Sequence, residues 1–327
     1  MPEMTYLQAI HQALAEEMRR DPDVFLLGED IGPHGGAFGV TRGLVEEFGS
    51  ERVRDTPVSE NSYIGMAVGA ALTGQRPVAE IMFADFSALA FDQIVNEAAK
   101  VHYMFGGQAR VPIVVRMPQG GLSWKSAGAN HSQSVEAWYA HIPGLKVVLP
   151  SMPSDAKGLL KAAIRDDSPV VFLEHKALYS FKGDVPEGDH LVPLGKADIK
   201  RPGANCTVVA SGMMVHFALQ AAEQLSREGI EVEVIDPRTI LPLDVETLAD
   251  SVRRTHRAVL VQEAVRTCGA VEDWAVHILE SCFEWLDAAP RVLGGADVPV
   301  PYADALETAI WPRPEGIAAA VRETCYA

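Results

Sequence analysis

The sequence predicts an α/β protein built from two parallel-sheet α/β domains. Short apolar runs alternate with helical repeats along the whole chain, as strands and crossover helices do. The first such run, 24–27, is apolar throughout, the pattern of a sheet covered on both faces. Around 180–205 the sequence turns polar and carries Pro186, Pro193 and Pro202. That break separates a first domain at 1–185 from a second at 205–327, with a linker over 186–204.

The elements follow in order. Thr5 with Gln8 forms a capping box, and Leu7, Ile10, Leu14 and Met18 then repeat at helical spacing to about Arg20, where Asp21-Pro22 ends the helix. Strand 24–27 runs into Gly28-Glu29-Asp30. The stretch 32–43, GPHGGAFGVTRG, fits neither dinucleotide nor P-loop spacing and reads as a mobile surface loop near a ligand or subunit. After a short approach strand and a turn at Thr56-Pro57 comes Glu60, then a helix of small residues stopped by Gly74 and Pro77. A strand at 78–82 leads to Phe86, and one helix is expected over 88–104, ended by Gly106-Gly107. Strand 113–116 opens the glycine-rich loop 118–131, at a strand end where open α/β sheets place ligands. Strand 145–149, helix 154–165 capped by Ser154, and strand 170–174 complete the first domain. The second reads as strand 207–210, helix 215–227, strand 232–235, helix 245–252, strand 258–262, helix 271–282, strand 291–293 and helix 317–324.

Composition narrows the function. Lys and Arg total 28 against 44 Asp and Glu, a net charge of −16 with no basic stripe, which argues against nucleic acid and anionic membrane surfaces. No apolar run reaches membrane-spanning length, and the N-terminus passes straight into an amphipathic helix without a signal peptide. Cys206, Cys268, Cys282 and Cys325 show no CxxC spacing, against a zinc or redox motif. A cytoplasmic protein with reduced thiols is expected.

Few residues promise chemistry. Glu60 precedes an apolar helix, where the helix dipole favours an acid for structural reasons alone. Val58, Tyr63, Ile64, Met66 and Phe86 would give it a dry surround, in which a carboxyl group keeps a proton more easily and shares it with a ligand nitrogen. His131 sits in a polar loop and could shuttle protons near neutral pH. Ser211 is not in a GxSxG elbow, so a serine hydrolase has no support. Asp236-Pro237-Arg238-Thr239 reads either as an ion-paired turn or as an edge of a subunit contact.

Several blocks, in order, resemble the β subunit of the E1 component of 2-oxo acid dehydrogenase complexes: VFLLGED, RVRDTPVSE with GMAVGAALTG, FDQIVNEAAK, PIVVRMPQGG, HSQSVEAW, PGLKVVLPSMPSDAKGLL, IRDDSPVVFLEH and GADVPVPYA. That family includes pyruvate, branched-chain 2-oxo acid and acetoin dehydrogenases. The resemblance implies a transketolase-like pyrimidine domain, a transketolase C-terminal-like domain that builds interfaces, and thiamine diphosphate as cofactor. By resemblance Glu60 is the acid that hydrogen-bonds the aminopyrimidine ring, and Val58, Met82 and Phe86 pack around it. Glu29 falls at an acidic position of the cofactor's proton network. His131 matches the active-site histidine linked to acyl transfer onto lipoyl.

No GDG segment, the family's anchor for diphosphate and Mg2+, occurs in the 327 residues. The resemblance therefore implies that an α subunit holds the Mg2+ and the other half of the site, in an α2β2 heterotetramer docked on an E2 lipoyl acyltransferase. It also implies a structural K+ on backbone carbonyls, for which Ile113, Ala163 and Asp166 fall at matching positions. PQGG and FLEHKALY look closer to pyruvate and acetoin members than to branched-chain ones. A noncatalytic subunit and a stand-alone nucleotide-binding α/β protein are the rival readings.

Overall fold

The computed structural model of the chain describes residues 2–121 and 127–326, so the WKS portion of the glycine-rich loop lies outside the described residues. The first half runs β1 (Glu3–Thr5), α1 (Tyr6–Arg20), β2 (Val24–Gly28), α2 (Leu44–Phe48), β3 (Val53–Asp55), α3 (Glu60–Leu72), β4 (Arg76–Glu80), α4 (Val101–Met104), β5 (Val114–Gln119), α5 (Glu136–Ala140), β6 (Lys146–Val148), α6 (Pro153–Arg165), β7 (Val170–His175) and β8 (Lys182–Asp184). The second continues with β9 (Asp198–Arg201), β10 (Cys206–Ala210), α7 (Met213–Ser226), β11 (Val232–Asp236), β12 (Thr239–Leu241), α8 (Val245–Thr255), β13 (Ala258–Val265), α9 (Ala270–Cys282), β14 (Arg291–Gly295), α10 (Asp304–Ile310) and α11 (Pro314–Cys325).

Two main sheets form, ordered β12-β6-β7-β5-β4-β2-β3 and β14-β13-β10-β11-β9. Their central strands are parallel and buried along their length, as the continuous apolar runs require. The edges depart from the expectation of purely parallel sheets. β9, inside the supposed linker, pairs antiparallel with β11, and β12 leaves the second half to pair antiparallel with β6 of the first sheet. Apolar packing also crosses between halves: Leu26, Val78 and Phe172 share one buried cluster with Val208, Val234 and Val259. Each such apolar side chain contributes about 1.5–3 kcal/mol of burial.

The capping box at α1 forms as expected, with Gln8 N–H donating to Thr5 Oγ1 at 3.1 Å and Thr5 N–H to Gln8 Oε1 at 2.8 Å. α1 lies on α6, where Glu16 and Glu17 meet Lys157, Lys161 and Arg165 at 2.7–2.8 Å. Ser154 does not cap α6. Pro153 opens that helix, its fixed φ suited to the first turn, and Met152 precedes it without a side-chain bond.

The single helix expected over 88–104 is three pieces: a 3-10 turn Ala84–Ala90, a π-helical turn Gln93–Ala98 and α4. The wide turn is seen in the bond from Ala99 N–H to the Ile94 carbonyl at 3.1 Å. Here α3 presses close: a methyl group on Gly65 would stand 2.9 Å from Gln93 Oε1. The strand expected at 78–82 ends at Glu80, leaving Met82 beyond it. Among the described residues, no helix is long and apolar enough to cross a membrane.

Candidate active site

β2 ends against β4 where a methyl group on Gly28 would stand 2.7 Å from the Glu80 carbonyl oxygen, so the strands close there only over glycine. Glu29, next in line, is buried, and so is Glu60 at the head of α3. Burial first, the charge of Glu60 second and Asp30 third push the Glu29 carboxyl above its ordinary pKa. Tyr63, three residues along α3, is also buried. Its burial, followed by the charges of Glu29, Glu60 and Glu80, raises the phenol well above its usual value. Glu29 Oε1 and the Tyr63 hydroxyl are buried without a hydrogen-bond partner among the described residues. Leaving such atoms unpaired costs about 1–3 kcal/mol each, so they suit a place that receives a ligand's polar atoms.

The dry surround is only partly built by this chain. Tyr63 and Ile64 are buried and Met82 and Phe86 half-buried, but Val58 is 80% exposed and Met66 49%. Pro57 and Val58 are both exposed, so the wall stands open beside Val58.

Behind Glu80 lies a buried ionic lattice that the sequence reading did not anticipate. Arg116 donates to Glu80 at 2.7 Å and, through two nitrogens, to Glu174 at 2.6 and 2.9 Å, and Tyr179 donates to Glu174 at 2.7 Å. Burial opposes the guanidinium's charge, but Glu174 and Glu80 outweigh it and raise its pKa. Burial pushes Glu80 up, against the pull of Arg116. Breaking such a buried pair costs about 3–5 kcal/mol, so this lattice fixes the strand ends under the site.

His131 is half-buried. Its ring meets Phe83 edge-on at 4.9 Å and Phe86 at 5.0 Å, and its Nδ1 lies 2.9 Å from Asn130 Oδ1. Lys176 donates to the His131 carbonyl and rides over the Phe83 ring at 5.2 Å, while Gln133 is held by Asp85 through its N–H and side-chain amide at 3.2 and 2.8 Å. The structure thus brings His131 and Phe86 together. The glycine-rich loop 32–43 is not the free loop expected: Gly32 N–H donates to Asp55, Gly36 N–H to the Asp30 carbonyl and Thr41 to the Ile31 carbonyl, and Phe38 packs on Phe83 at 5.6 Å. The 236–239 turn is ion-paired, with Arg238 reaching Asp155 at 3.0 Å.

The carbonyls matched to a K+ site already have donors. Ile113 O accepts from Val170 N–H at 2.9 Å and Ala163 O from Asp166 N–H at 3.2 Å. The Arg76 guanidinium donates to the Ile164 and Asp166 carbonyls at 3.0 Å and to Asp167 at 2.6 Å. It supplies fixed positive charge beside the Asp166 carbonyl, while the Ile113 and Ala163 carbonyls each keep a second lone pair. Among the described residues, no group of three or more His, Cys, Asp or Glu is placed to hold a metal.

The transketolase pyrimidine-binding domain family matches residues 2–182, and the transketolase C-terminal domain family matches 195–317. A split-gene transketolase solved as an inactive β4 tetramer superposes with a TM-score of 0.79 over 99% of both chains, and at 23% identity this speaks for the fold alone. Fold and domain pair define a transketolase-like protein. Over 325 residues the chain is 48% identical to the 2-oxoisovalerate dehydrogenase subunit beta of Bacillus subtilis, covering 99% of both. It is 46% identical to the pyruvate dehydrogenase E1 component subunit beta of Rhizobium meliloti, covering all of this chain and 71% of that one. It is 47% identical to the acetoin:2,6-dichlorophenolindophenol oxidoreductase subunit beta of Cupriavidus necator, covering 97% and 96%. The chain belongs to the E1 β-subunit family of 2-oxo acid dehydrogenase complexes, an oxidoreductase family whose members depend on thiamine diphosphate.

Proposed function

We propose that this chain contributes the pyrimidine half of a thiamine diphosphate site, and that with an α subunit it decarboxylates pyruvate and passes the acyl unit to the lipoyl group of an E2 acyltransferase. The observation that carries the reading is the buried Glu29–Glu60 pair beside the unpartnered Tyr63 hydroxyl. When bound, thiamine diphosphate would supply the thiazolium chemistry for decarboxylating a 2-oxo acid. Glu60, fixed at the head of α3, would hold a hydrogen bond to the aminopyrimidine ring. Glu29, whose affinity for a proton is raised by burial and by the charge of Glu60, would support proton exchange behind it. Met82, Phe86 and Val58 would pack against the ring, and His131 would handle a proton at the mouth during acyl transfer.

The open wall at Val58 supports a partner surface there, and the lack of a GDG segment supports a partner that holds the diphosphate and its Mg2+. We place the assembly as an α2β2 heterotetramer in the cytoplasm. Pyruvate is preferred on the PQGG and FLEHKALY segments. The relatives named for three substrates lie within 46–48% identity and do not separate them. Calorimetry with thiamine diphosphate and Mg2+ tests the split site: the chain co-expressed with a candidate α subunit binds and the chain alone does not. Tight binding by the chain alone overturns it.

A further inference from the structure

We propose that Glu263, on β13 of the second sheet, is a positioning residue that orients the loop carrying His131. The second domain was expected only to build interfaces, yet this carboxylate reaches out of it. Glu263 is buried, 5% exposed, and Oε1 accepts from Gly121 N–H at 3.0 Å and from the Ser134 hydroxyl at 3.2 Å, while Oε2 pairs with His175 Nε2 at 2.5 Å. Gly121 and Ser134 bracket the segment that holds His131, and Gly120 N–H closes its base on the Gln133 carbonyl at 3.1 Å.

The backbone reaches the carboxylate only because two glycines stand there. A methyl group on Gly120 would lie 2.5 Å from His175 Nε2 and 2.8 Å from Glu263 Oε1. One on Gly121 would lie 2.3 Å from Trp311 and 2.5 Å from Glu307. Although burial opposes its charge, His175 holds the Glu263 carboxyl below its ordinary pKa, so it acts as an anionic acceptor. Both loop ends are therefore tied to the second sheet, while Phe83, Phe86 and Lys176 hold His131 from the first. The imidazole is placed by the registration of the two sheets. A shift of about 1 Å in such a group costs on the order of a hundredfold in rate.

This rests on the role proposed for His131, and the experiment separates the two. In the holoenzyme co-expressed with its α subunit, pyruvate turnover is followed twice for wild type, H131A, E263Q and the double variant. One assay reduces an artificial electron acceptor, and the other acylates a lipoyl domain. E263Q is expected to slow lipoyl acylation about tenfold with the artificial-acceptor rate and the pyruvate KM changed less than about threefold, and the double variant to be no slower than H131A. H131A with normal lipoyl acylation overturns the parent reading. A normal E263Q beside an impaired H131A overturns the positioning role, as does a double variant slowed by the product of the two effects. Should E263Q fail to fold, S134A removes the loop's hydroxyl and leaves the Glu263–His175 pair intact. A selective fall in lipoyl acylation by S134A supports the proposal, and equal rates in both assays overturn it.

Discussion

Glu60 and Glu29 share a buried corner, but their substitutions should report different things. Glu60→Gln keeps shape and burial but removes the acid, so kcat with pyruvate in the reconstituted enzyme should fall by at least about 10²-fold. Unchanged turnover would remove Glu60 from the mechanism. Glu29 has a folded-state pKa raised above the ordinary 4.5, so the native chain binds its proton more tightly than the unfolded chain does. Its contribution is fully present below that ordinary value and is lost as pH rises through the folded-state pKa. Glu29→Gln removes the titration. Relative to wild type it should therefore gain stability as pH climbs from about 4.5 towards neutrality. Thermal melts of both proteins across that range test the sign, and a pH-independent difference would contradict it. Glu60 and His131 could be singled out from the sequence because each stands in a contiguous block, RVRDTPVSE and HSQSVEAW. Glu263 was not: its contacts to Ser134 and Gly121 span 129 and 142 positions, and no local pattern encodes a partner so far away.

At the level of elements, local chemistry was readable where it was self-contained. The Thr5–Gln8 box is such a case, and Thr5→Ala should cost about 1 kcal/mol, seen as a lower denaturation midpoint with unchanged substrate KM. An unmoved midpoint would mean that the cap contributes nothing net to stability. The segment 88–104 was misread as one helix because its apolar spacing suits 3-10, π and α turns alike, and the close approach of Gly65 to Gln93 is a long-range fact that spacing does not carry. β8, β9 and β12 are three or four residues each. Strands so short carry too little periodicity to be seen, and their partners alone define them.

For the whole molecule, strand and helix alternation was enough to show two α/β units. What it could not show is which surface is unfinished. Val58 stands 80% exposed beside the buried acids. Val58→Asp should leave the melting temperature of the isolated chain within about 1 °C, since a surface change shifts stability by less than about 0.5 kcal/mol. It should also abolish co-purification with the α subunit. An undiminished complex would move the shared site elsewhere.

The crossing of β12 onto β6 bears on how the protein is made. On the ribosome, β6 and β7 are both synthesised long before Thr239. Until then the nascent first sheet presents a bare strand edge, the template for pairing with a neighbouring polypeptide. A translational pause, or truncation anywhere between the two strands, would leave that edge uncovered. Chaperone dependence should thus fall sharply once residue 241 clears the exit tunnel.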